Sequence, residues 1–129
     1  MKDKKSPARR KKDSRRLLKK KLTTVFSRVV RLVGKCQRCG NTNVLSLQCS
    51  HVRSKHAHPR LEFDLDNALS LCHKCHIYWW HKEPYEAVEW FEREFPKQAE
   101  RLKEKMEREE ELPVVEYGEL LEKYTTLLT

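Results

Sequence analysis

Two Cys-x-x-Cys pairs, Cys36/Cys39 and Cys72/Cys75, constrain this chain more than any other feature. Each pair offers two sulfurs from one tight turn, and two such turns complete the tetrahedron of a four-thiolate zinc site. Coincidence and an iron–sulfur site are the competing readings of that spacing. A closed four-cysteine site anchors a small fold and leaves no open position to activate water, so any catalysis needs a second centre.

The rest of the composition agrees with a metal-stapled domain. The chain has 129 residues, of which 36% are charged and 38% apolar. So polar a chain buries a thin core, and a structural metal offsets that shortage. Five cysteines with no export signal argue for thiolate ligands in the reducing, cytoplasmic interior of a cell rather than for a disulfide scaffold. No apolar stretch reaches transmembrane length.

Charge is unevenly spread. Residues 1–21 carry +10, residues 22–82 carry +6 and residues 83–129 carry -7, within a net charge of +9. Three parts follow: a basic arm over 1–21, disordered or partly helical; a helix and zinc-bound core over 22–82; and an acidic helical region over 83–129. Residues 1–14 read as unstructured in isolation. The arm from Lys2 to Lys21 includes Arg9, Arg10, Lys11, Lys12, Arg15 and Arg16, and suits a polyanion.

Leu22, Val25, Phe26, Val29, Val30 and Val33 form one helical stripe, closed by Gly34. This helix reads as a cover for the metal module. Cys36 to Gly40 reads as a metal knuckle. Leu45, Leu47 and Cys49 alternate with Ser46, Gln48 and Ser50, which predicts a half-buried strand ending at His51, with Cys49 a small buried residue. Residues 52–66 form a basic loop, Ala68 to Leu71 a second strand, and a helix starting near Cys72 carries His76 and Trp80. Pro84 and Pro96 each open a further helix, with stripes Ala87/Val88/Phe91/Phe95 and Ala99/Leu102/Met106. Surface pairs Glu100–Lys103, Glu104–Arg108 and Lys105–Glu109 are expected there. Leu120, Leu121, Tyr124 and Leu128 mark a last helix. The class is therefore α+β.

Between the CxxC pairs stand His51 and Asn67, and His76 follows. This His…Asn…His order over residues 36–81 resembles the HNH endonucleases of the ββα-metal type. The resemblance implies a zinc-stapled ββα core in which His51 is the general base and Asn67 braces its loop. It implies that His76 holds one catalytic divalent ion, Mg²⁺ or Mn²⁺. Ser50 departs from the pattern, because many such sites place Asp, Glu or His there; Asp64, Asp66 and His73 are the available substitutes. The longer string Gln48-Cys-Ser-His51, the loop from Arg60 to Asn67, and Leu71-Cys-His-Lys-Cys-His76 resemble the phage NinG/Rap-type recombination proteins. That likeness implies cleavage of branched DNA, for which a homodimer with two active sites would be suited.

Arg53, Lys55, His56, His58 and Arg60 crowd the loop between His51 and Asn67, where they are candidate phosphate contacts that position DNA without reading sequence. Tyr78, Trp79 and Trp80 are candidate stacking platforms, although aromatics at a helix end more often fill core. Two rival readings stand beside the nuclease: a non-catalytic zinc-containing DNA-binding module, and an adaptor that uses its acidic helices.

Overall fold

The structure, a computed structural model, describes residues 4–129. Lys2 of the basic arm lies outside the described residues. The chain divides into two units: residues up to Val29 with Val115–Thr129, and Val30–Val114.

The first unit holds two helices, α1 (Pro7–Val30) and α5 (Tyr117–Leu127). Residues 7–14, expected to be unstructured, are the first two turns of α1. The local reason is visible: Ser6 Oγ accepts from Arg9 N–H at 3.1 Å, and Asp13 pairs with Lys5 at 2.7 Å and Arg9 at 3.5 Å. Leu22, Phe26 and Val29 are buried as the stripe requires, and Phe26 meets Tyr124 edge-on at 5.5 Å between ring centres. Val33, assigned to the same stripe, is 47% exposed, because the chain tightens into a 3₁₀ turn over Arg31–Val33. Gly34 ends it at φ 74°, a left-handed conformation that favours glycine.

The second unit is built on a two-stranded antiparallel sheet of β1 (Leu47–His51) and β2 (Ala68–Cys72), in register from Leu47 opposite Cys72 to His51 opposite Ala68. A short helix α2 (His73–Cys75) runs on into a π turn over His76–Trp80. Helices α3 (Pro84–Glu94) and α4 (Pro96–Glu107) follow, each with proline in its first turn as the sequence predicts. The mixed helix-and-sheet class agrees with the α+β expectation.

One core joins these pieces. Leu47, Leu61, Leu69, Leu71, Trp79, Trp80, Phe91 and Leu102 are buried together with Cys36, Cys72 and Cys75. Every residue of β2 is buried, so its sequence shows no alternation.

The first strand is shorter than its pattern. Leu45, expected on the buried face, is 94% exposed. Asn43 Oδ1 accepts from Leu45 N–H at 3.2 Å and caps a 3₁₀ turn over Val44–Ser46, so pairing begins only at Leu47. Cys49 is half-buried as a residue, and burial of its thiol pushes its pKa up to about 12.

Of the expected helix-surface pairs, Glu104–Arg108 forms at 3.9 Å. Lys105 instead reaches Asp64 at 2.8 Å and Asp66 at 2.9 Å, and Glu109 takes His58 at 2.7 Å. Tertiary partners thus replace the expected i,i+4 pair of Lys105 and Glu109.

Candidate metal centre and the histidine site beside it

The knuckle after Gly34 turns because Gly40, at φ 79°, donates its N–H to Cys36 O at 2.9 Å. That turn aims Cys39 N–H at Cys36 Sγ, 3.5 Å away. At the end of β2 the same relation recurs, with Cys75 N–H on Cys72 Sγ at 3.5 Å. Gln37 ties the two turns together: its N–H donates to Ser70 O and its Oε1 accepts from Ser70 N–H, both at 2.8 Å.

All four sulfurs lie within 4.8 Å of one another. A tetrahedron with Zn–S bonds of about 2.3 Å requires sulfurs about 3.8 Å apart, and Cys39 Sγ stands 3.7 Å from Cys72 Sγ. The five cysteines are free thiols. For Cys36, burial opposes ionisation, but the N–H groups of Cys39, Cys72 and Arg38 outweigh it and bring the thiol down to about 7. Burial, reinforced by the neighbouring sulfurs of Cys72 and Cys36, pushes Cys75 up to about 12 despite a contact from Arg38. Sulfurs that hinder one another's ionisation are the donor set a dication relieves. The four cysteines can therefore hold a metal ion such as zinc.

His51 closes β1, half-buried, with Nε2 2.7 Å from the carbonyl oxygen of Glu62. A carbonyl only accepts, so Nε2 carries the proton and Nδ1 is the basic nitrogen of the neutral ring.

Asn67 is fully buried. Its Oδ1 accepts from Arg53 N–H at 2.7 Å, and its Nδ2 donates to the carbonyls of Arg53 and Leu61, each at 3.0 Å. One side chain thus pins both limbs of the 52–66 loop on which the Glu62 carbonyl sits.

His76 opens the π turn. Its Nδ1–H donates to Gln48 Oε1 at 2.8 Å, leaving Nε2 as the lone-pair nitrogen. Burial first, then the neighbouring His81, His51 and His73, hold its pKa down at about 4, so the ring is neutral at physiological pH.

His81 is a residue the sequence reading missed. On an α-helix, positions five apart point about 140° away from each other. Here His81 N–H bonds to His76 O at 3.1 Å, a π-type step that stacks the two residues one turn apart. Their rings meet edge-on at 4.5 Å between centres.

The proposed substitutes for Ser50 are engaged elsewhere. Asp64 is held by Lys105, Asp66 by Lys105 and by Arg101 at 3.0 Å, and His73 Nδ1 accepts from Gln48 Nε2 at 3.1 Å. Ser50 is itself fully buried, with no hydrogen bond to its Oγ.

The cationic residues fall into two sets. Arg10, Lys11, Lys12 and Arg16 on α1 and Lys55 and His56 on the loop are exposed. Of the others, Arg9, Arg15, His58 and Arg60 have side-chain partners within the protein, whereas Arg53 Nε is buried with no hydrogen bond among the described residues. Arg9 pairs with Asp13, and the Arg15 guanidinium lies 4.2 Å from the Tyr117 ring centre. His58 meets Glu109, and Arg60 donates to the carbonyls of Glu109, Glu110 and Leu112 at 3.1, 2.8 and 2.7 Å. The backbone of Arg53 is held by Asn67. The structure thus draws His58 and Arg60 towards α4 and its 3₁₀ extension, a role the basic-loop expectation did not include.

No family model, curated protein or solved structure matches the chain. Among the described residues, no helix is long and apolar enough to cross a membrane.

Proposed function

We propose that this protein is an HNH-type, metal-dependent endonuclease that hydrolyses phosphodiester bonds in DNA, with branched recombination intermediates as its substrates. The observation that carries the reading is the 2.7 Å contact between His51 Nε2 and the Glu62 carbonyl oxygen. The His51 Nε2–H is committed to that carbonyl, so Nδ1 is the nitrogen that takes a proton from water. Asn67 holds the loop that bears that carbonyl. His76 contributes Nε2, and His81 stands one π turn on as a second imidazole. A divalent ion bound there supplies charge stabilisation at the scissile phosphate. The exposed cations of α1 add affinity that is independent of sequence.

Zinc on the four thiolates serves only the fold in this reading, because that site is closed. The environment of Ser50 favours a second reading. Ser50 is buried and Asp64 and Asp66 are held by Lys105, so the side chains weighed as further metal ligands are engaged elsewhere, as expected of a zinc-containing DNA-binding module that does not cut.

Cleavage of branched and linear duplexes with Mg²⁺ or Mn²⁺ separates the two. Metal-dependent nicking by the wild type, lost in a zinc-retaining His51→Ala variant, is the expected result. Binding without nicking on either substrate would leave the binding module.

A further inference from the structure

The Tyr78-Trp79-Trp80 run divides in the structure. Trp79 and Trp80 are 8% and 5% exposed, whereas Tyr78 is 60% exposed. The His73 ring meets the Tyr78 ring edge-on at 5.7 Å, and Lys82 Nζ lies 5.2 Å from the Tyr78 ring centre. His73, Lys74, Tyr78, His81 and Lys82 are all exposed. The ten residues from His73 to Lys82 include two lysines, three histidines and no carboxylate. The Gln48 amide links this patch to the candidate site, bonding His73 on one side and His76 on the other.

An exposed aromatic ring with a lysine beside it suits a ligand that is flat, π-rich and anionic. Nucleobases on a phosphate backbone have that chemistry, and stacking on an aromatic side chain tolerates any base. Within a duplex the base faces are already stacked, so only an unpaired nucleotide can offer one. Lys82, exposed on a flexible stem, can leave the ring for a neighbouring phosphate.

We propose that Tyr78 is a stacking platform for an unpaired nucleobase, placing a single-stranded segment of DNA beside His76. This deepens the nuclease reading and rests on it: the platform gives a branch, flap or gap a foothold that continuous duplex lacks.

The test uses the zinc-loaded full chain without added Mg²⁺ or Mn²⁺. Fluorescence anisotropy compares a labelled oligothymidylate with a duplex of equal length for wild type, Tyr78→Ala and Tyr78→Phe. Tyr78→Ala is expected to weaken single-strand binding by about five-fold or more, with duplex affinity unchanged and Tyr78→Phe like wild type. An equal loss on both DNAs, no loss, or a Phe variant as weak as Ala overturns the platform. Plasmid nicking is measured alongside with the divalent ion restored. Nicking by wild type with Tyr78→Ala binding unaltered removes the platform and keeps the nuclease; a wild type that binds neither DNA removes both.

Discussion

Gln48 Oε1 accepts a hydrogen bond from His76 Nδ1 at 2.8 Å, and the same amide donates to His73 Nδ1 at 3.1 Å. A strand residue thus fixes both the tautomer and the orientation of a helix histidine. Partners of this kind contribute about 10- to 100-fold to metal affinity. Gln48→Ala is therefore expected to weaken Mn²⁺ binding by that factor, with the zinc content unchanged. Electron paramagnetic resonance titration of the zinc-loaded protein measures it. Equal affinity in both proteins would count against His76 as a ligand of the proposed divalent ion.

The four-cysteine cluster makes a prediction about folding. Metal binding at such a site contributes on the order of 10 kcal/mol, comparable to the whole stability of a small domain. Cys72 sits in the core and within 3.7 Å of Cys39 Sγ. Cys72→Ser keeps the volume and removes a strong ligand. It is expected to lose zinc and the cooperative unfolding transition, as is wild type treated with a strong chelator. Circular dichroism with metal analysis reads both, and a folded metal-free protein would falsify the structural role.

Asn67→Ala removes a fully buried side chain and leaves Arg53 N–H and the carbonyls of Arg53 and Leu61 without that partner. Each buried group left unsatisfied costs about 1–3 kcal/mol, part of which water entering the loop recovers. A loss of about 2–4 kcal/mol in urea denaturation is expected on that basis. A loss under about 1 kcal/mol would mean that the loop does not depend on Asn67.

Much of this was legible beforehand. The CxxC spacing located the four sulfurs, because each knuckle is a local turn whose geometry a four-residue motif encodes. Pro84 and Pro96 located two helix starts for the same reason. What escaped depends on partners distant in sequence or on backbone detail. His81 joins His76 only because the turn is π-type. Leu45 is exposed because Asn43 caps a turn where alternation alone reads strand. Lys105 leaves its helix neighbour for two aspartates about forty positions away. No periodicity encodes that choice.

That lysine carries a pH dependence. Burial lowers the pKa of Lys105, but Asp64 and Asp66 more than offset it and hold it above its ordinary 10.5. A raised pKa in the folded state stabilises fully below the unfolded value, and the gain disappears as pH rises through the folded value. Lys105 is 30% exposed, so solvent screening limits the contribution to on the order of 1 kcal/mol. Wild type is expected to exceed Lys105→Met in stability by that amount at neutral pH. The gap should close as pH passes above 10.5. Paired denaturation midpoints across this range measure it; a constant gap would assign the effect to packing instead.

The exposed cations of α1 predict a salt dependence. Arg10, Lys11, Lys12 and Arg16 have open side chains, whereas Arg9 and Arg15 have partners within the same unit. Each phosphate neutralised on duplex DNA releases counterions and adds about -0.9 to the slope of log affinity against log salt. Replacing these four residues by glutamine is expected to flatten the slope by up to about 3.5. Glutamine is a good helix former, so α1 is retained. Deleting the arm would instead cut into the helix that carries Leu22 and Phe26, mixing a charge effect with loss of structure. Anisotropy titrations at several salt concentrations read the slope directly. An unchanged slope would exclude these four residues from the DNA contact.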